Sequence, residues 1–501
     1  MDWRTIVDPM AYHTPSFFRE GVYAHPSGER FTIVHPATGE RVCTFHVGDA
    51  HNTTFAVSVA DRAFRESGWA KASRFERAGA LIKLAQLLRA NKERLGTLEA
   101  LQTGKLLSEC VGHDADRAAQ NFEMFAKAVG GGDLKEEVLE QETAFLDRKG
   151  RASTTVYRNA VGVVGIIIPW NSPLMLSSWH VAPALAVGNT VVLKLPLWAP
   201  LAVLELGKLA NEAGIPPGVF NIIVGDKEAG EALVADPRVK RISFTGSVPV
   251  GKAINVANAK VRLTPPMLEL GGKGANIVFS DASLDAVKGV ARSIWRSQGQ
   301  SCVAGSRLLL QEGIYDDFMQ RLKDYTASLR IGNHMEHGTE IGPVITRKHR
   351  DRVMEMIEMA KGEGARLSHG GTVLVGEGCA NGNFVVPTIF EEVTPEMRIF
   401  QEEVFGPVLT VTPFADANDA ITLANATPFG LSSNVWSSDV GFAHGVAQSI
   451  EAGMVWVNSH FVRDLRAPFG GVKDSGTGRA GGKWSLEYFT EPQMICDFVP
   501  N

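Results

Sequence analysis

Two short segments of this chain carry a thiol and a carboxylate among small residues. Cys302 lies in SQGQSCVAGSR, Ser297 to Arg307, and Glu269 lies in MLELGGKGAN, Met267 to Asn276, just ahead of a double glycine. A cysteine supplies a soft nucleophile that can bond to an electrophilic carbon. A carboxylate on a turn supplies a base for water. Together they describe covalent catalysis followed by water attack. A lone cysteine is more often a buried structural thiol, but Gln300, Ser301, Ala304 and Gly305 are small or polar and favour an accessible loop. For Glu269, the following Leu270, Gly271 and Gly272 give a sharp turn that another molecule can approach closely.

These residues need a scaffold, and the pattern around them supplies one. From Val161 to Phe279 short β-branched runs (VGVVGIII, TVVLK, FNIIV, RISFTG) alternate with helical stretches near Leu174 to Val187 and Leu201 to Ala213. That alternation predicts parallel strands with crossover helices, a doubly wound α/β sheet. Upstream, an apolar stripe predicts a helix over Arg74 to Leu95 that packs on the same unit. Thr143 to Arg158 alternates polar and β-forming residues and suits an exposed hairpin. A second α/β unit is expected from about Gly271 to Gly471, with helices at Leu284 to Gln298 and Ile314 to Leu329 and strands such as SRLLLQ and VLTVTPF.

The bulk numbers bound the rest. A chain of 501 residues exceeds one ordinary core, and 45% hydrophobic with 21% charged residues is an ordered globular composition. Net charge of -5 gives no electrostatic case for nucleic acid or an anionic membrane. Five cysteines, odd in number and without a CxxC pair, offer no metal or disulfide framework and fit a reducing, cytoplasmic setting. Met1 to Glu20 lacks the basic start and apolar stretch of a signal peptide. The longest apolar run, Val161 to Ile168, is far short of the ~20 residues of a membrane helix and is expected as a buried strand.

Two tempting motifs fail on context. GSVPVGK, Gly246 to Lys252, is nearly a phosphate-binding loop, but Ala253 stands where magnesium needs a hydroxyl. Gly476, Gly478 and Gly481 spell GxGxxG, yet no strand precedes them.

With PWNSP (Pro169 to Pro173), GNTVVLK (Gly188 to Lys194), FTGS (Phe244 to Ser247), EEVFGPV (Glu402 to Val408) and PFGGVKDSG (Pro468 to Gly476) in order and spacing, the chain resembles the aldehyde dehydrogenase superfamily over nearly its whole length. The resemblance implies a Rossmann-like cofactor domain (residues 1–134 and 159–269), an α/β catalytic domain (270–474), and an oligomerisation arm and tail (135–158 and 475–501). It implies a homo-oligomer, dimer or tetramer, acting on a small-molecule aldehyde with NAD or NADP. Cys302 would add to the aldehyde, Asn171 and the backbone N–H of Cys302 would hold the resulting oxyanion, and Glu269 would activate water against the thioester. Ile168, Trp170, Lys194, Gly246, Ser247, Leu270, Glu403 and Phe405 would hold the dinucleotide, Lys194 at the adenosine ribose and Phe405 beside the nicotinamide. Many NAD-preferring relatives carry a glutamate where this chain has Leu197, so both cofactors stay open.

The paired arginines of VNSHFVRDLRAPFGG, Arg463 and Arg466, and Arg117 in ADRAAQNFEMFA, resemble the muconic-semialdehyde branch. There they would read a substrate carboxylate. Structural pairing of Arg466 with Asp464, or of Arg117 with Asp114, is the competing expectation. Three other readings stand beside this one: a dehydrogenase of a neutral aldehyde, a non-catalytic structural relative, and a cysteine hydrolase. The last lacks a histidine in the flanking motifs to act as base.

Overall fold

The computed structural model describes residues 29–133, 136–376 and 379–501, with the backbone of two short strands, Ser16–Phe18 and Gly21–Tyr23. The expected domain boundary at residue 134, and nearly all of the Met1 to Glu20 segment read for a leader, lie outside the described residues.

Five parallel strands form the heart of the first unit. In space they run Phe220–Val224, Thr190–Leu195, Val163–Ile167, Val239–Thr245, Met267–Glu269. In chain order this is 3-2-1-4-5, so the sheet reverses direction between Val163–Ile167 and Val239–Thr245. An open α/β sheet binds ligands outside the carboxyl ends of its strands at such a reversal. Those two ends lead into Pro169–Ser172 and Gly246–Ser247. Every residue of Val163–Ile167 is buried because both faces are covered, as a continuous apolar run requires. Val164 and Ile166 face one apolar cluster with the helix Pro173–Ala186, while Val163 and Ile167 face another.

The second unit is a seven-stranded sheet, parallel but for its edge strand Arg366–His369. Ala275–Val278 and Arg307–Gln311 are neighbours at its centre. The segments running into their amino ends carry Glu269 to Gly274 and Cys302. The two units therefore present their loops to each other: carboxyl ends from the first, amino ends from the second.

A hairpin, Glu137–Phe145 and Arg148–Ala160, pairs along Thr490–Pro500 to make a separate three-stranded sheet. It begins earlier than the alternation from Thr143 suggested, and the tail supplies its third strand. The helix expected over Arg74 to Leu95 is two helices, Arg74–Ala90 and Lys92–Thr103. They part at Asn91 (φ −105°, ψ 14°), whose side-chain amide donates to the Leu87 carbonyl at 2.8 Å and competes with the helix ladder.

Candidate active site

Asn171, Cys302 and Glu269 meet where the two units face each other. Asn171 follows the end of Val163–Ile167, and its side-chain amide donates to the carbonyl of Gln300 at 3.0 Å, tying this turn to the cysteine loop. That loop is tightly wound. Ser297, Gln298 and Gly299 have φ of 51°, 55° and 67°, left-handed geometry that two non-glycine residues adopt only at a cost. Gly272 must be glycine, because a Cβ there would lie 2.6 Å from the Cys302 carbonyl oxygen. Glu269 ends its strand with its carboxyl beside Gly470, where a Cβ would stand 2.8 Å from Oε1.

Burial dominates the electrostatics of both groups and favours their neutral forms. Burial pushes the Cys302 thiol up to about 12, aided by the Glu403 and Glu269 carboxylates and opposed by the backbone N–H groups of Cys302 and Val303. Burial also raises Glu269 to about 8, with Arg463 and Arg479 pulling the other way. Among the described residues, neither Glu269 oxygen has a hydrogen-bond partner, and the amide oxygen of Asn171 has none. Buried polar atoms left unmatched are expected where a substrate or water completes the set.

Two openings converge on Cys302, sharing Asn171, Thr245 and Glu269. One is a cavity lined by Arg117, Trp179, His180, Phe461, Arg463 and Phe469 among others. The other is a cleft bounded by Trp170, Gly246, Ser247, Leu270, Glu403 and Phe405. In the cleft, the N-terminus of helix Val248–Ala259 has no side-chain cap, so its first N–H groups are free for an anion. Glu403 accepts from the Gly272 N–H at 3.0 Å and is raised to about 7 by burial. Phe405, at φ 57°, packs edge-on against Trp170 with ring centroids 5.4 Å apart. His349, unforeseen from sequence, closes this aromatic group and bonds the Phe405 carbonyl at 2.7 Å. Ile168 and Lys194 sit side by side at neighbouring strand ends, the Ile168 N–H donating to the Lys194 carbonyl at 3.3 Å. Burial lowers the Lys194 ammonium to about 8. Leu197 packs into the apolar cluster at 8% exposure.

The three arginines separate. Arg463 lies between Trp179 and Phe469, its guanidinium carbon 3.9 and 4.1 Å from the ring centroids, and its Nη2 is buried without a partner among the described residues. Arg117 has buried Nε and Nη1 donors that are likewise unmatched, because Asp114 is taken by Lys105 and His113. Arg466 does not reach this cavity. Its side chain is 80% exposed and clamps Asp464 through Nε and Nη2, the latter at 2.6 Å, which is the structural pairing that competed with a substrate role. Trp179 and His180 also line the cavity but gave no sequence signal, since both sit in a run that reads as ordinary helix, whereas Phe469 lies in the PFGGVKDSG motif without a role having been read for it.

A doubly wound sheet faces a second α/β sheet, and a cysteine, a carboxylate and an amide lie where a cleft and a cavity meet, the arrangement of an α/β enzyme with room for two ligands. Residues 23–495 match the model of the aldehyde dehydrogenase family, and the chain belongs to that family. It is 40% identical to the 2-hydroxymuconic semialdehyde dehydrogenase of Pseudomonas sp. (strain CF600), over 94% of this chain and 96% of that protein. It is also 40% identical to the phenylacetaldehyde dehydrogenase of Pseudomonas fluorescens, over 94% of this chain and 93% of that one. Among solved structures, betaine aldehyde dehydrogenase from Staphylococcus aureus in complex with NAD+ superimposes with a TM-score of 0.93 at 34% identity, covering 99% of this chain and 97% of that one.

Proposed function

We propose that this enzyme oxidises a carboxylate-bearing semialdehyde of the muconic type to the corresponding acid with NAD. The observation that carries the reading is the pair Arg117 and Arg463, whose buried, unpartnered N–H donors line the cavity on one side of Cys302. A buried guanidinium without an acceptor is costly unless a ligand supplies one, and a carboxylate matches its donors in pairs. Cys302 adds to the aldehyde carbon, and the oxygen gains negative charge beside the Asn171 amide and the Cys302 N–H. A nicotinamide dinucleotide held in the cleft by Gly246, Ser247, Glu403 and Phe405 would supply the hydride acceptor. Glu269 then takes a proton from the water that attacks the thioester and frees the acid.

The cleft suits a dinucleotide through the uncapped N-terminus at Ser247 and the ring wall of Phe405 and Trp170, and Lys194, near the end of a neighbouring strand, would reach the adenosine ribose. Leu197 places no carboxylate against a 2'-phosphate, so NADP is accepted as a second choice. The hairpin sheet exposes Val138, Leu139, Phe145, Leu146, Met494, Ile495 and Val499, an apolar surface that supports assembly into a homo-oligomer through this arm. Five thiols without a cystine support a cytoplasmic setting.

The test compares kcat/KM for 2-hydroxymuconic semialdehyde and for neutral phenylacetaldehyde. Arg117→Ala should lose about ten- to a hundredfold on the acidic substrate, as a charge-assisted hydrogen bond of about 1.5–3 kcal/mol implies, and change little on the neutral one. Equal losses on both would make Arg117 a structural residue and sink the substrate assignment.

A further inference from the structure

Upstream of the cysteine and its base, a buried ionic group faces the start of helix Pro173–Ala186 and is unused by the chemistry above. Glu99 and Lys105, on and just after helix Lys92–Thr103, and Asp114, entering helix Ala115–Gly131, are 0%, 4% and 1% exposed. Lys105 bonds Asp114, which also accepts from His113 at 2.9 Å, and Lys105 donates to the Ser172 hydroxyl at 2.9 Å. Ser172 occupies the N-cap position but does not cap the helix with its own oxygen. Pro173 has no N–H, so Leu174 holds the first free donor, and the Glu99 carboxylate takes it at 3.1 Å. Asp114 closes a π-helical turn, Cys110–Asp114, a distortion that re-aims side chains and recurs at functional sites.

We infer that Lys105, Asp114 and Glu99 are positioning residues for the oxyanion: they clamp Ser172 and Leu174 and so fix Asn171, one residue upstream, in register with Cys302. The inference rests on the role assigned to Asn171. That residue has one visible tether of its own, the bond from its amide to the Gln300 carbonyl. This donor must turn to the substrate oxygen during reaction, so the backbone needs another anchor, and the clamp just downstream supplies it. The same π turn sets the phase of the helix carrying Arg117, so oxyanion donor and carboxylate reader share one support. Burial keeps Glu99 well above the usual carboxylate range, to about 8, which limits the negative charge the cluster holds beside the single ammonium.

A double-mutant cycle tests it, read as the rate of the first-turnover burst of reduced cofactor with phenylacetaldehyde, or with 2-hydroxymuconic semialdehyde if that is faster. Ser172→Ala removes only the hydroxyl that Lys105 holds and leaves the ion pair intact. Lys105→Met removes both the ion pair with Asp114 and the bond to Ser172, leaving only Glu99 on Leu174. Each should slow the burst about tenfold in the native background, the size of effect a small misplacement of a catalytic group produces, and leave the KM for cofactor unchanged. In an Asn171→Ala background the same changes should cost less than about twofold, because no amide remains to be aimed. Losses that multiply equally in both backgrounds would overturn the inference and make the cluster a general fold element. A native burst left unchanged by Ser172→Ala would overturn it equally. If Asn171→Ala alone leaves the burst intact, the oxyanion assignment fails and the clamp's function fails with it, a result distinct from multiplicative losses.

Discussion

If Glu269 is the base for deacylation, as proposed, its burial makes that step pH-dependent in a range where a carboxylate is ordinarily silent. With its carboxyl raised to about 8, only about 9% is ionised at pH 7 and about 91% at pH 9. The base form alone activates water, so the steady-state rate should climb about tenfold across that interval if hydrolysis limits turnover. An unshifted carboxylate would be fully ionised at both ends and give a flat profile. The assay is stopped flow: the burst reports attack by Cys302 and hydride transfer, and the linear phase reports hydrolysis. Since the thiol is held near 12, the burst should keep rising to about pH 9.5 without a plateau, whereas the linear phase should level off just above about pH 9. Replacing Arg463 by Met removes the stronger of the two cations that pull Glu269 down, leaving Arg479, and should move the linear-phase midpoint upward. A linear phase that stays flat from about pH 7 to 9 despite a clear burst would refute the assignment of Glu269 as base. So would an unchanged pH limb in Glu269→Gln.

Two further outcomes rest on the geometry. Cys302→Ala should abolish aldehyde oxidation while dinucleotide binding, measured by quenching of tryptophan fluorescence, persists, because Cys302 is only one of the residues lining the cleft and Ser247, Glu403 and Phe405 stay in place. Arg466→Ala should leave kcat/KM for acidic and neutral aldehydes within about twofold of the native enzyme, since its exposed pair with Asp464 lies outside the cavity and is screened by solvent; a selective acidic-substrate defect would reverse the ranking of the two arginines.

Much of this site was legible in the sequence because its chemistry depends on residue identity within short runs: the cysteine among small residues, the glutamate before two glycines, the asparagine between tryptophan and proline. The parallel sheet was equally plain, since strands buried on both faces read as unbroken apolar runs. What did not show was direction. Arg463 and Arg466 lie in one loop and are chemically identical, and only the slot between Trp179 and Phe469 draws one inward while Asp464 holds the other in solvent. The clamp behind Ser172 was invisible for a related reason: Glu99, Lys105 and Asp114 fall on or beside helical stretches where charged residues usually face water. The break at Asn91 turned on a single side-chain bond to a carbonyl, which apolar periodicity does not register.

The three-stranded arm also sets a schedule. Its middle strand, Arg148–Ala160, meets one partner immediately through the Leu146–Asp147 turn, but the other arrives with Thr490–Pro500, and the paired side chains of Asn159 and Gln493 are 334 positions apart. During synthesis the hairpin emerges with an open edge, and most of both α/β units must be made before that edge can close. Unpaired strand edges invite wrong pairing, and contacts this distant form late. A nascent or truncated chain therefore lacks a finished arm, and if subunits join through it, as proposed, they can do so only after most of both α/β units has been made. In that case the arm would work as a completion check on its own polypeptide.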